Sequence, residues 1–135
     1  YGDGLQTLEA RIGERLIMLA VLATARAHDS QYDWTMHEPV ALAAGLEPEL
    51  IDIIRYRRPL IGIDETDAAL IAFSRELFGA HNVGADTYAR VARVFSKQNL
   101  VDVVGLMGQH AADAAVLAAF DQRLPEGRQP LLPIP

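Results

Sequence analysis

The sequence contains no cysteine. Disulfides, thiolate metal ligands and peroxidatic thiols are therefore excluded, because each of them needs a cysteine sulfur. Aromatic residues make up only 7% of the chain, and acidic residues outnumber basic ones to give a formal net charge of −6. A nucleic-acid partner is not expected, because neutralising phosphates requires clustered lysine and arginine.

Long hydrophobic runs are also missing. No apolar stretch approaches the roughly 20 residues of a membrane span, and no signal peptide opens the chain, so we expect a cytoplasmic protein with no membrane partner. Among the scattered basic residues only Arg55, Arg57 and Arg58 lie close together, and we interpret them as the solvated end of a helix. A length of 135 residues predicts a single domain over residues 1–135.

Apolar residues recur at three- and four-residue steps along most of the chain, and no alternation of strands and helices occurs. We therefore predict an all-α fold with about six helices, over residues 7–27, 31–44, 47–56, 64–79, 85–96 and 100–124. Side chains that can cap a helix stand at the predicted starts, namely Thr7, Ser30, Asp64 and Asn99. Pro39 should kink or divide the second helix, and Gly45 should end it.

The last predicted helix is apolar nearly all round. A helix without a polar face must be surrounded, either by its own domain or by another subunit. In a chain this small we favour a subunit interface, and therefore a homo-oligomer. The tail 125–135 holds four prolines, so it cannot be helical and should lie extended against a neighbour.

The second helix carries the most informative side chains. Asp33 and His37 are four residues apart and share a face, with Ser30 one turn earlier and Trp34 close to the same patch. A carboxylate one turn from an imidazole can orient the ring and raise its pKa, which suits a general acid or base. Spacing alone also allows the simpler interpretation that Ser30 and Asp33 are first-turn capping and dipole residues.

His110 lies among apolar neighbours in the last helix, so it is either a hydrogen-bonded core histidine or part of a site. Glu14 stands near the edge of the first helix's apolar stripe. His28 and His81 fit helix ends. No two of the four histidines have the spacing of a helical metal motif, so we expect no metal and no cofactor.

The order of these features resembles the carboxymuconolactone decarboxylase-like family, which also contains the alkylhydroperoxidase-D-type (AhpD-like) proteins. The resemblance rests on Glu-Arg-Leu-Ile-Met-Leu at 14–19, Tyr-Asp-Trp-Thr-Met-His-Glu-Pro at 32–39, Ala-Gly-Leu at 44–46 and the stretch 100–110. It covers nearly the whole chain, from about residue 11 to residue 125. It implies a helical oligomer, trimeric or hexameric, with pockets at or near subunit interfaces.

The resemblance also implies which residues form the site. The redox branch of the family has Cys-x-x-Cys-x-x-x-His where this chain has Ser30, Asp33 and His37, so thiol peroxidase activity is lost. Glu14 matches the family's first-helix glutamate, which would face the same pocket. His110 stands where a tyrosine is expected.

The decarboxylase members of the family act on unsaturated lactones without a metal or organic cofactor. The implied function is a cofactor-independent lyase, or an isomerase with the same enolate chemistry, acting on a small unsaturated carboxylate or lactone. His37 would transfer the proton, oriented by Asp33 or Glu14, while the substrate would contact Tyr32, Trp34, Ser30 and His110. Two alternatives remain open: a non-catalytic ligand-binding or scaffold oligomer, and a metal-assisted enzyme of the same fold.

Overall fold

The computed structural model describes residues 2–134, with side chains from Thr7 onward. These residues form seven α-helices and one π-helix and contain no strand, which confirms the all-α prediction. The α-helices are α1 Gly2–Ile12, α2 Glu14–Ala27, α3 Gln31–Ala43, α4 Pro48–Arg55, α5 Glu65–Ser74, α6 Ala85–Val94 and α7 Lys97–Ala119. The π-helix Arg75–Ala80 lies between α5 and α6.

The first predicted helix is in fact two helices, separated at Gly13. This glycine has a φ of 90°, a backbone conformation that residues with a Cβ rarely adopt. Periodicity did not reveal the break, because the apolar stripe continues on both sides of it. Thr7 lies inside α1, so its predicted capping role is wrong.

The boundaries of α3 agree with the prediction, but two details differ. The helix continues through Pro39 without dividing, and Ser30 occupies the N-cap position without a side-chain capping hydrogen bond. Gly45 follows the helix with a φ of 96°, as expected for a left-handed terminator. The predicted cap at Asp64 is confirmed, since its Oδ2 accepts from the Thr66 backbone N–H at 3.1 Å.

The later helices differ more from the sequence prediction. The segment after α5 winds into the π-helix instead of ending at Gly79, and the left-handed residue His81 (φ 57°) terminates it. The last helix begins at Lys97, because the Ser96 hydroxyl rather than Asn99 caps it by accepting from the Asn99 N–H at 3.1 Å. This helix ends at Ala119, five residues before the predicted end.

α2 is the central helix, buried from Ile17 to Arg26 and packed against α3, α5 and α7. One face of α7 completes this core through Leu100, Val103, Leu106, Met107 and Ala114. Most other residues of α7 are exposed or half-buried in a single chain, so the helix is not surrounded by its own domain.

Among residues 2–134, α7 is the one helix long and apolar enough to cross a membrane by length and composition, with a mean hydropathy of 1.3 over its best window. A helix that packs in the core of a bundle passes the same test, so this finding is weak as an indication of a membrane.

The tail is non-helical, as its prolines predict, and it packs against α2 and α3 of its own chain. Leu132 is 2% exposed and belongs to the core. The Gln31 side chain holds the tail from both sides, because its Nε2 donates to the Leu132 carbonyl at 2.6 Å and its Oε1 accepts from the Leu131 N–H at 3.1 Å. Arg26 adds a hydrogen bond to the Pro133 carbonyl at 3.0 Å. Pro135 lies outside the described residues.

Candidate functional site

Asp33, on the buried face of α3, contacts two histidines. Its Oδ1 lies 2.9 Å from Nδ1 of His37, one turn further along α3. Its Oδ2 lies 2.8 Å from Nδ1 of His110, which α7 brings from 77 positions away in the sequence. The packing of α3 and α7 on the central α2 therefore builds an Asp–His–His cluster, of which spacing offered the Asp33–His37 half as one of two interpretations.

The Asp33 carboxyl is ionised in this arrangement. Burial raises its pKa, but hydrogen bonds from His110 and His37 outweigh that effect and hold the pKa well below its ordinary value. An ionised carboxylate can only accept hydrogen bonds, so Nδ1 of each ring must carry the proton and donate. The His37 Nδ1–H is shared with the Asp33 backbone carbonyl at 2.7 Å.

This bonding leaves Nε2 as the nitrogen of His37 that gains or loses a proton. The hydrogen bond to the Asp33 carboxylate raises the pKa of His37 although burial opposes it, so the His37 imidazolium is stabilised. The two ring centroids are 5.7 Å apart and nearly perpendicular, at 81°. The His37 side chain is 34% exposed, which gives its ring access to a ligand.

A groove of about 140 Å³ lies between the start of α3 and the second half of α7. Ser30 and Tyr32 line one side, and Ala114 and Leu117 line the other. Tyr32 is next to Asp33 in sequence, and Ala114 follows His110 by one helical turn, but Asp33, His37 and His110 do not themselves line the groove. The structure thus brings the predicted ligand-contacting residues Ser30 and Tyr32 to a concave surface.

Trp34 is placed differently from the prediction. Its side chain is fully buried in the core rather than at the wall of the groove. Its Nε1 donates to Oε1 of Glu38 at 2.8 Å, and the same oxygen accepts from Arg55 at 2.5 Å. The prediction that Trp34 walls the pocket is therefore wrong within one chain. The indole instead packs in the core, and Glu38, which satisfies its N–H, joins α3 to Arg55 at the end of α4.

The position of Glu14 also differs from the prediction. It is the exposed first residue of α2, whereas the cluster lies near the other end of the helix, beside the turn into α3. A rise of about 1.5 Å per residue separates Glu14 from Arg26 by roughly 18 Å along the axis. The described contacts of Asp33, His37 and His110 do not include Glu14, so it does not face their pocket within one chain.

The other histidines lie at helix ends, as predicted. His28 caps α2, where its ring packs edge-on against Phe78, and His81 ends the π-helix. Over the described part of the chain, no group of three or more histidine, aspartate or glutamate side chains is placed to hold a metal ion. The sequence analysis missed Gln31, which also lines the groove, since a single glutamine gives no sequence signal.

No family model matches the sequence, and no curated protein is significantly similar to it. Among solved structures, the chain is similar to a protein of unknown function from Agrobacterium tumefaciens that is described as a candidate AhpD antioxidant defence protein. The two chains share 16% sequence identity and superpose with a TM-score of 0.79, covering 91% of this chain and 86% of the other. The chain therefore has the AhpD-like fold, as the resemblance implied, in a cysteine-free form.

Proposed function

We propose that the protein is a cofactor-independent lyase of the carboxymuconolactone decarboxylase type, which acts on a small unsaturated carboxylate or lactone by general acid–base catalysis. The observation that carries this proposal is the Asp33 carboxylate hydrogen-bonded to Nδ1 of both His37 and His110. A carboxylate behind an imidazole fixes its tautomer and stabilises its protonated form, as proton-transfer sites require.

The proposed reaction breaks the bond between the substrate carboxylate and the adjoining carbon. Carbon dioxide leaves, and the electron pair stays on the substrate as a delocalised dienolate. Nε2 of the His37 imidazolium then donates its proton to the carbon, and the ring regains a proton from water. The His110 ring, whose centroid is 5.7 Å from that of His37, would supply a second polar contact to the developing oxyanion.

Because Asp33 raises the pKa of His37, a larger fraction of this ring is protonated near neutral pH than in an ordinary histidine. The acid is therefore in its reactive form when substrate binds.

The proposal includes a homo-oligomer with a small-molecule substrate bound next to the interface. Exposed apolar residues lie on the two helices that carry the cluster, namely Val40 on α3 and Val101 and Val116 on α7. Val101 and Val116 are about 120–180° around α7 from His110, so they belong to the outer face of this helix. A second copy of the chain lying on this outer face would cover them.

Replacing His37 with alanine tests the proposal. The variant should lose at least about 100-fold in kcat on an unsaturated lactone carboxylate, because the acid is removed while Asp33 and His110 remain. Release of carbon dioxide is the readout, together with circular dichroism and oligomer size. His81→Ala is the matched control, because His81 is exposed at a helix end away from the cluster and should keep full turnover. Full turnover by His37→Ala would refute the proposed mechanism.

A second function, a non-catalytic ligand-binding or scaffold oligomer, is favoured by one observation. The Asp33–His110 hydrogen bond joins α3 to α7 and would hold these helices together without any reaction. In that case the wild-type protein should show no turnover on any tested lactone at any pH. A bell-shaped pH dependence of kcat, altered in His37→Ala, decides for the enzyme.

A further inference from the structure

A second cavity, of about 320 Å³, lies between α2, the end of α4 and the junction of α5 with the π-helix. The lining includes none of the residues of the Asp33–His37–His110 cluster. Its walls include the apolar side chains of Ala23, Ile54 and Ile71. This volume lies at the lower end of the range of about 300–1,000 Å³ for small-molecule pockets. The cavity therefore suits a ligand of modest size with an apolar body.

Two arginines stand in the lining of this mainly apolar space. Arg75, the first residue of the π-helix, donates to the Ile53 backbone carbonyl at 3.2 Å. Across the described residues no carboxylate pairs with it. Burial lowers the pKa of Arg75, and the neighbouring charge of Arg57 lowers it further. Its positive charge is therefore left uncompensated beside a second cation.

Arg57 stands at the more exposed side of the cavity, just after the end of α4, with a left-handed backbone (φ 51°). Its guanidinium is held by the Arg26 carbonyl at 3.2 Å and by the Asp29 carboxylate at 3.3 Å. Asp29 is also paired with Arg26, so one carboxylate serves two guanidiniums. The surroundings of the cavity thus keep an excess of positive charge. The buried Ser74 adds a hydroxyl to the same lining.

We infer that this cavity binds a small organic anion, whose carboxylate lies between Arg57 and Arg75 and whose apolar body packs against Ala23, Ile54 and Ile71. A carboxylate would supply the counter-charge that Arg75 lacks, and hydrogen bonds between charged partners are about twice as strong as neutral ones. The apolar body would gain by leaving water for the walls of the cavity. This inference is independent of the proposed lyase activity, because the two sites share no residue.

Calorimetric titration with octanoate tests the site, with octanol as the neutral probe of the same chain length. Octanoate should bind, octanol should bind at least about tenfold more weakly, and Arg75→Gln should weaken octanoate binding by about tenfold or more. Arg58→Gln is the matched control: it removes the same charge from an exposed arginine next to Arg57 that stacks on Tyr56 and does not line the cavity. Octanoate affinity should be unchanged in this variant.

Two further variants keep the test decisive. Ala27→Leu fills part of the cavity without changing charge, and it should weaken octanoate binding even if Arg75→Gln proves unstable by circular dichroism. His37→Ala should bind octanoate as the wild type does, whatever its turnover. The inference is overturned if no octanoate binds up to about 10 mM, if octanol binds equally well, if Arg58→Gln and Arg75→Gln behave alike, or if His37→Ala abolishes binding.

Discussion

Asp33 decides the chemistry of the candidate site through the two hydrogen bonds that its carboxylate accepts. A single carboxylate that is 5% exposed bonds both to a ring on its own helix and to a ring on α7. Removing it would leave two imidazoles without the charge that orients them. The effect on the protein should therefore depend on pH, since folding lowers the pKa of Asp33 and raises the pKa of His37.

Asp33→Asn should lower the free energy of unfolding by about 1–3 kcal/mol near pH 5.5. The pKa of Asp33 is lowered by folding, so its contribution is present above the unfolded value of 3.8 and is lost as the pH falls through the lower folded pKa. The pKa of His37 is raised by folding, so its contribution is complete below the unfolded value of 6.5 and is lost as the pH rises through the higher folded pKa. The contributions of Asp33 and His37 to stability are therefore both present between pH 3.8 and pH 6.5.

The measurement is urea unfolding of wild type and Asp33→Asn from pH 4 to pH 9, together with an NMR titration of His37. The stability difference should shrink above the folded pKa of His37, and the pKa of His37 should fall in the variant. Asp113→Asn serves as control, because Asp113 is exposed on α7 and contacts Gln109 instead of a histidine. An equal, pH-independent effect of both variants would contradict the assigned hydrogen bonds.

At the scale of elements, the tail is bound to the helices by specific contacts rather than by regular structure. Gln31 and Arg26 hold its backbone, and Leu132 fills a place in the core. The composition of the tail correctly predicted that it is not helical. It could not predict the contact surface, because that surface forms only when α2 and α3 pack together.

Leu132→Ala should destabilise the protein by about 2–4 kcal/mol, because a fully buried leucine leaves a cavity when it is shortened. Ile134→Ala, two residues further on, is the matched control: its side chain is 44% exposed, and the change should be below about 0.5 kcal/mol. Denaturant unfolding of both variants measures the difference. Equal stabilities would mean that the tail does not belong to the cooperative core.

Helix boundaries show where local rules are sufficient. Asp64 was correctly predicted as a cap, because an aspartate that accepts from the N–H two residues later needs no distant partner. The break at Gly13 and the π-helix after Ser74 were missed. A glycine within an apolar stripe is compatible with a continuous helix. A π-helical turn has no characteristic residue types, so the apolar periodicity does not distinguish it from an α-helical turn.

At the scale of the whole molecule, the main open surface is the outer face of α7. Val101, Val116 and the neighbouring Phe120 are 59%, 56% and 81% exposed. Large exposed apolar patches are typical of interaction sites. This face is the one that the proposed homo-oligomer would bury.

Val116→Glu should therefore convert the oligomer to a smaller species, because a buried interface does not tolerate an unpaired charge. Ile61→Glu is the control, since Ile61 is 79% exposed in the loop after α4 and lies away from α7. Analytical ultracentrifugation of wild type and both variants gives the masses. A monomeric wild type, or a Val116→Glu variant of unchanged mass, would contradict the proposed interface.

The sequence by itself determined the all-α class, the approximate helices, the absence of thiol chemistry and the Asp33–His37 pair. Each of these depends on residue type or on spacing within one helix, and such information is local. Only the tertiary structure decided that His110 joins the pair, that Glu14 and Trp34 do not line the groove, and that Arg57 and Arg75 meet at one cavity. These facts depend on how separate helices pack around α2, and contacts between residues far apart in the chain leave no pattern in a single sequence.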